Sequence, residues 1–200
     1  MPTASRRYHH GDLRAALLSA GEAELAARGV EGFTLRGVAK RAGVSHAAPA
    51  HHFRDTAALL TALATQAARE LTASMLERQG TAARDPRSQL VAAGLGYVDF
   101  ALAKPALFKL LFGSERPDAG DPEMVHHATA SFDVLLTAVG AVRQAGPHGL
   151  DDDSLDVAAA WSIVHGVATL LLAGRLKFLG PRLEADREGT LRRMIERAVP

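Results

Sequence analysis

Phe33-Thr34-Leu35-Arg36-Gly37-Val38-Ala39-Lys40-Arg41-Ala42-Gly43-Val44-Ser45-His46 is the stretch that decides the fold. Two short helices meet at a steep angle only where the chain turns sharply, and Gly43 can take the positive φ that such a turn demands. Ala39, four residues earlier, is small where a larger side chain would strike the following helix. Val38 and Val44 are spaced to fill the wedge between the helices. Thr34 is placed to cap the first helix and Ser45 the second. Small residue, four-residue step, glycine, apolar residue and cap make the pattern of a helix-turn-helix. An ordinary αα-hairpin shares the glycine and the caps.

Outward from this stretch the chain reads as helices separated by Gly and Pro, and no β-branched run alternates with period two. A helix over 11–28 carries Leu13, Leu17, Leu18 and Leu25 on one side and stops at Gly29. Helices are expected over 35–42, briefly after Ser45, and over 56–79. Asp85-Pro86 and Asp121-Pro122 pair a cap with a proline in the first turn, opening helices to about 103 and 145, with a short one over 105–112 between them. Gly146-Pro147-His148-Gly149 breaks the chain. Asp151-Asp152-Asp153-Ser154 starts a helix to about 178, and a last one covers 183–199. About nine helices and no strand make the chain all-α: a three-helix head followed by a helical bundle.

With 200 residues, 48% hydrophobic and 22% charged, the chain has the composition of a folded globular protein. It has no Cys, which excludes disulfides, thiolate zinc sites and a cysteine nucleophile. Its longest apolar run, near 163–173, is interrupted by His165 and Gly166, and no apolar leader opens the chain, so a soluble cytoplasmic protein is expected. The net charge is only +1, but it is unevenly spread: residues 1–55 hold eight Lys or Arg against five acids, and five of the nine histidines. A mildly basic head on a mildly acidic body suits a DNA-facing module.

In order, the helix over 11–28, the 33–45 stretch, His52-Phe53 and Leu59-Leu60 resemble the TetR family of bacterial transcriptional regulators over residues 8–71. Tyr97-Val98-Asp99-Phe100-Ala101, Lys104 to Phe112, and Trp161-Ser162-Ile163-Val164-His165-Gly166 are similar to the TetR-type C-terminal domain with a Trp…His-Gly motif. The resemblance implies a DNA-binding head over 8–71, with its helix-turn-helix at about 34–53, and a ligand-binding and dimerisation domain over 72–200. It implies a dimeric repressor released from a palindromic operator by a small apolar or amphipathic effector. By position, Thr34 and Arg36 would contact phosphates, His46, Ala47, Ala48 and His51 would face the major groove, and His52 and Arg54 would lie near the backbone. Ser45 joins that set, and Arg6 and Arg7 could add contacts from an arm. Two departures stand out: the family usually has Tyr at the position of Ala50 and Lys at that of Thr56, both phosphate contacts. Pro49 also disfavours helical geometry at Ala48. The alternative is therefore a ligand-binding or interaction protein of the same fold with weakened DNA binding.

In the body, Phe100, Phe108, Leu111, Phe112, Met124, Phe132, Leu135 and Trp161 could line an apolar cavity, or simply pack as core. His165 shares a helix face with Trp161 and could point into the cavity or bond a core carbonyl. Leu170, Leu171, Gly174, Leu191, Met194 and Ile195 give the last helices faces suited to a two-fold four-helix bundle. His9-His10 and His126-His127 are adjacent rather than four apart, which does not suit chelation, and no metal or cofactor is expected. Gly94-Leu95-Gly96 begins like a dinucleotide fingerprint but lacks the third Gly and a preceding strand. No nucleophile elbow or phosphate loop is present either, and no enzyme activity is expected.

Overall fold

The computed structural model describes residues 10–145 and 153–197. Its α-helices are α1 (His10–Arg28), α2 (Leu35–Ala42), α3 (Thr56–Thr81), α4 (Pro86–Ala103), α5 (Pro105–Gly113), α6 (Pro122–Ala145), α7 (Asp153–Leu172), α8 (Gly180–Ala185) and α9 (Arg187–Glu196). Short polar side chains start several of them. The Thr34 hydroxyl accepts from the Gly37 N–H at 3.0 Å, the Asp55 carboxylate from Ala58 at 2.8 Å, and Asp85 from Ser88 at 2.9 Å. Asp121 accepts from Glu123 and Met124 at 3.1 and 3.0 Å, just ahead of Pro122. Gly43 ends α2 at φ 68°, the left-handed turn that the helix-turn-helix reading required.

α3 is the central strut. It packs on α1 of the head and on α4, α5 and α6 of the body, and the expected domain limit at residue 71 falls inside this one continuous helix. α4 is buried almost end to end, from Leu90 through Val98, because α3, α6, α7 and α9 cover it on all sides. The Gly94-Leu95-Gly96 stretch is explained by this packing. A Cβ on Gly96 would lie 2.6 Å from Met75 Cα and 2.7 Å from the Ser74 carbonyl carbon, so the two backbones touch there. The Ser74 hydroxyl donates to the Gly96 carbonyl at 2.7 Å across the same crossing. α4 and α5 then bend by 108° at Lys104-Pro105.

Three sequence expectations change. The third helix is a 3-10 turn, Ala48–His51, preceded by Ala47 with no side-chain cap, so Ser45 does not cap it. Pro49 stands in its first turn, where it disfavours α-helical geometry at Ala48, and its ring is buried. α7 stops at Leu172 rather than near 178, since Gly174 turns left-handed at φ 63° and the Gly174 and Arg175 N–H groups close on the Leu171 and Leu170 carbonyls. The last helix is divided at Asp186, whose carboxylate caps α9 through the Gly189 N–H at 2.8 Å.

Burial also corrects part of the expected dimer face. Leu191 and Ile195 are 2% and 3% exposed, held against this chain's own core, whereas Leu170 and Gly174 are exposed. Leu171 and Met194 are half-buried. Residues 122–144 and 154–172 are, by length and composition, long and apolar enough to cross a membrane, with mean hydropathy of 1.2 and 1.7. Neither is an unbroken apolar run: Glu123, His126-His127, Asp133 and Arg143 interrupt the first, and His165 and Gly166 the second. Their outward faces leave Val125, Leu136, Leu155 and Leu170 exposed. Arg6, Arg7, His9, Asp151, Asp152 and the 146–149 break lie outside the described residues.

Candidate nucleic-acid interface and apolar cavity

The head is assembled around a buried acid. Glu24 on α1 is 7% exposed and pairs with the Arg41 guanidinium on α2. Gly37 makes this possible, because a Cβ there would overlap the Glu24 carboxylate. Val38 and Ala39 are fully buried at the same joint, as the wedge argument requires. Beyond the turn, the Pro49 carbonyl accepts from the His52 and Phe53 N–H groups at 3.0 and 2.8 Å. Phe53 is buried, with the Arg14 guanidinium 5.5 Å above its ring. The Glu24–Arg41 pair leaves no periodic signal in the sequence; a glycine inside a short helix was its one visible trace.

This frame turns a defined set outward. Thr34, Arg36, Ser45, His46, Ala47, His51 and Arg54 are exposed, and Ala48 and His52 are half-buried. Thr34, Arg36, Lys40 and His46 border one shallow groove, so Lys40 joins the expected residues there. The Thr34 hydroxyl is already engaged as a cap acceptor, and Arg54 pairs with Asp55 at 3.2 Å. Ala50 is exposed, and Thr56 opens α3 beside Asp55. The surface thus carries the cations Arg36 and Lys40 along α2, and along the 3-10 turn it is apolar apart from His51.

The body holds a cavity of about 230 Å³ between α3, α4, α5, α6, α7 and α9, open to solvent on one side where Phe132 and Trp161 are exposed. Of the expected residues, Phe112, Met124, Phe132 and Trp161 line it, with Leu111 and Leu135. Phe100 and Phe108 do not; both are core, and Phe108 stacks on His165 at 5.4 Å behind the wall. His165 stands off the lining and meets the Tyr97 hydroxyl through Nδ1 at 2.9 Å. Burial pushes the His165 pKa down and the Tyr97 pKa up, so both are neutral at pH 7. Trp161 Nε1 donates to the same Tyr97 oxygen at 3.4 Å. Tyr97 was missed as a lining residue because its neighbours on α4 are apolar all round, which hides the face it occupies.

Cavity and head are joined by the segment between α5 and α6. Phe112 and Met124, at its two ends, line the cavity. Between them Arg116 Nη1 donates to the Val30 carbonyl just after α1 at 2.7 Å, and the Asp118 N–H donates to Thr61 Oγ1 on α3 at 2.9 Å. Lys104, whose pKa is raised chiefly by its hydrogen bond to Glu22, spans from the α4–α5 bend to α1 at 2.6 Å.

A helix-turn-helix head carried on a cavity-bearing helical body defines a class of regulatory protein, and comparison with known proteins narrows it. Residues 17–63 match the family of bacterial regulatory proteins of the tetR family, and residues 90–198 match the tetracyclin repressor-like C-terminal domain. The chain belongs to the TetR family. A solved protein of unknown function from Rhodococcus sp. RHA1 is 35% identical, with TM-score 0.79 over 98% of this chain and 95% of that one. A TetR family transcription regulator from Marinobacter aquaeolei VT8 shares the fold at 21% identity and TM-score 0.70, over 94% and 96% of the two chains. PfmR, a TetR family transcriptional regulator from Thermus thermophilus, does so at 17% identity and TM-score 0.64, over 76% and 84%. The HTH-type transcriptional regulator BetI of Burkholderia ambifaria is 38% identical over 77 residues, 38% of this chain and 40% of that protein. The match thus spans well under half the length of that curated relative.

Proposed function

We propose that this protein is a cytoplasmic, homodimeric transcriptional repressor that binds a palindromic operator through the 34–54 surface and leaves it when a small apolar ligand fills the body cavity. The observation that carries this reading is the direct linkage between the two sites: the segment from Phe112 to Met124 borders the cavity and also bonds Val30 and Thr61 under the head. A ligand that parts Phe112 from Met124 displaces those bonds and re-aims α1, which is the differential contact an effector needs to shift an equilibrium. Dimerisation is supported by the exposed apolar residues of α6 and α7, which a second copy would cover in a four-helix arrangement. A regulator of this kind needs no catalytic group, and we read the chain as a binding protein rather than an enzyme.

Selection of random duplex DNA with the purified protein tests the DNA half. Recovery of inverted repeats with half-sites about 34–36 Å apart is the expected result. A second reading is favoured by one feature, the four-residue 3-10 turn standing where a recognition helix is expected, with Ala47, Ala50 and His51 outermost. On that reading the chain keeps the ligand-binding fold and has lost strong DNA affinity, and the selection returns random sequence.

A further inference from the structure

The cavity lining is almost entirely hydrocarbon: among the described residues that form it, Tyr97, Ser131 and Trp161 alone carry an N–H or O–H group, and none is charged. What matters for a ligand is where those hydrogens already go. The Ser131 hydroxyl donates to the Ala128 carbonyl at 2.8 Å. Indole N–H can only donate, and Trp161 spends it on the Tyr97 oxygen. The Tyr97 hydroxyl has His165 Nδ1 at 2.9 Å. One tautomer of the neutral imidazole gives both the indole and the phenol proton an acceptor: Trp161 donates to Tyr97, Tyr97 donates to Nδ1, and the ring proton sits on Nε2. The opposite tautomer would direct two N–H donors at one phenolic oxygen and leave its O–H proton facing hydrocarbon. With the proton on Nε2, the hydroxyl oxygens of the lining residues Tyr97 and Ser131 each keep a lone pair unused, and every side-chain hydrogen of the lining is committed.

The geometry points to an effector that is neutral, largely apolar and carries a hydrogen-bond donor, an alcohol or phenol whose O–H is accepted by the Tyr97 or Ser131 oxygen. This rests on the reading of the cavity as the effector site and specifies its chemistry. A carboxylate would enter a site with no cation and no free donor, and a ketone or aldehyde would meet only acceptors. Size follows from volume. A dry cavity of about 150 Å³ holds benzene, so about 230 Å³ suits a ligand of about nine or ten non-hydrogen atoms.

Isothermal titration of the whole protein with four para-disubstituted benzenes of equal size tests this: para-isopropyltoluene, para-isopropylphenol, para-ethylbenzaldehyde and the para-methylbenzoate anion. The phenol is expected to bind at least as tightly as its methyl isostere despite its greater cost of leaving water, and the benzoate not at all. In Tyr97→Phe with Ser131→Ala the phenol should weaken about tenfold while the toluene holds. Toluene binding to that double variant also shows that its fold and cavity survive. If the phenol and the toluene change together in the variant, or the aldehyde or benzoate binds as tightly as the phenol in the wild type, the donor assignment is overturned and the cavity reading stands. If none of the four binds, both the donor assignment and the cavity reading fall.

Discussion

Replacing Thr56 with Lys is the perturbation that most directly examines the DNA face. Thr56 is the first residue of α3, next to Asp55, whose carboxylate caps Ala58 and pairs with Arg54 at 3.2 Å. A lysine there projects from the edge of the head, where its Asp55 neighbour already has a cation, so its ammonium remains available to a phosphate. Each phosphate neutralised steepens the dependence of log affinity on log salt by about 0.9 on duplex DNA, so a dimer gains about 1.8. Between 50 and 200 mM salt, a fourfold change, the advantage of the Thr56→Lys protein over wild type should shrink about twelvefold. Fluorescence anisotropy with a random-sequence duplex reads this, since a backbone contact carries no sequence information. Ala50→Tyr is the internal control, a neutral side chain that should tighten binding and leave the slope as it is. Parallel salt lines for Thr56→Lys and wild type would refute the placement of α3 against the DNA backbone.

Gly96→Ala forces a methyl into the Ser74-Met75 backbone and should cost about 3 kcal/mol, lowering the melting temperature by about 6–12 °C in calorimetry. Leu170→Asp on the exposed face of α7 should give a folded monomer by sedimentation, while Ile195→Asp, which buries a charge inside the chain, should abolish the fold. His165 is held neutral, with its pKa below the unfolded value, so the unfolded chain binds the extra proton first. Its contribution to stability is therefore complete above about pH 6.5 and lost as pH falls below that. Denaturant melts of His165→Gln should show a shallower loss than wild type between pH 6.5 and 5.5, and equal slopes would remove the burial argument.

Local grammar made the head legible. The Gly43 turn, the buried Ala39 and the Thr34, Asp85 and Asp121 caps depend on residues within four positions of one another, and each is where the sequence places it. Pro49 was legible as a conflict with helical geometry at Ala48, but not the shortening of the element to four 3-10 residues. The body was harder to read because α4 is apolar on every face, so periodicity says nothing about which side Tyr97 shows to the cavity. Likewise Leu191 and Ile195 carry the pattern of an interface, and only the packing of α9 on α4 assigns them inward, Ile195 touching Gly94. The Arg116–Val30 bond, 86 residues apart in sequence, has no local signature at all.

The central claim is that cavity and DNA surface share one equilibrium. Coupling of that kind is reciprocal in binding free energy and typically amounts to a factor of about 5–150. Titrating para-isopropylphenol into the protein, first free and then saturated with its selected operator, measures it on one chain with Trp161 fluorescence as the signal. The account predicts that the operator weakens the phenol by at least about fivefold, and that Arg116→Ala brings the two affinities together. Equal affinities for the free and operator-bound wild-type protein would contradict it.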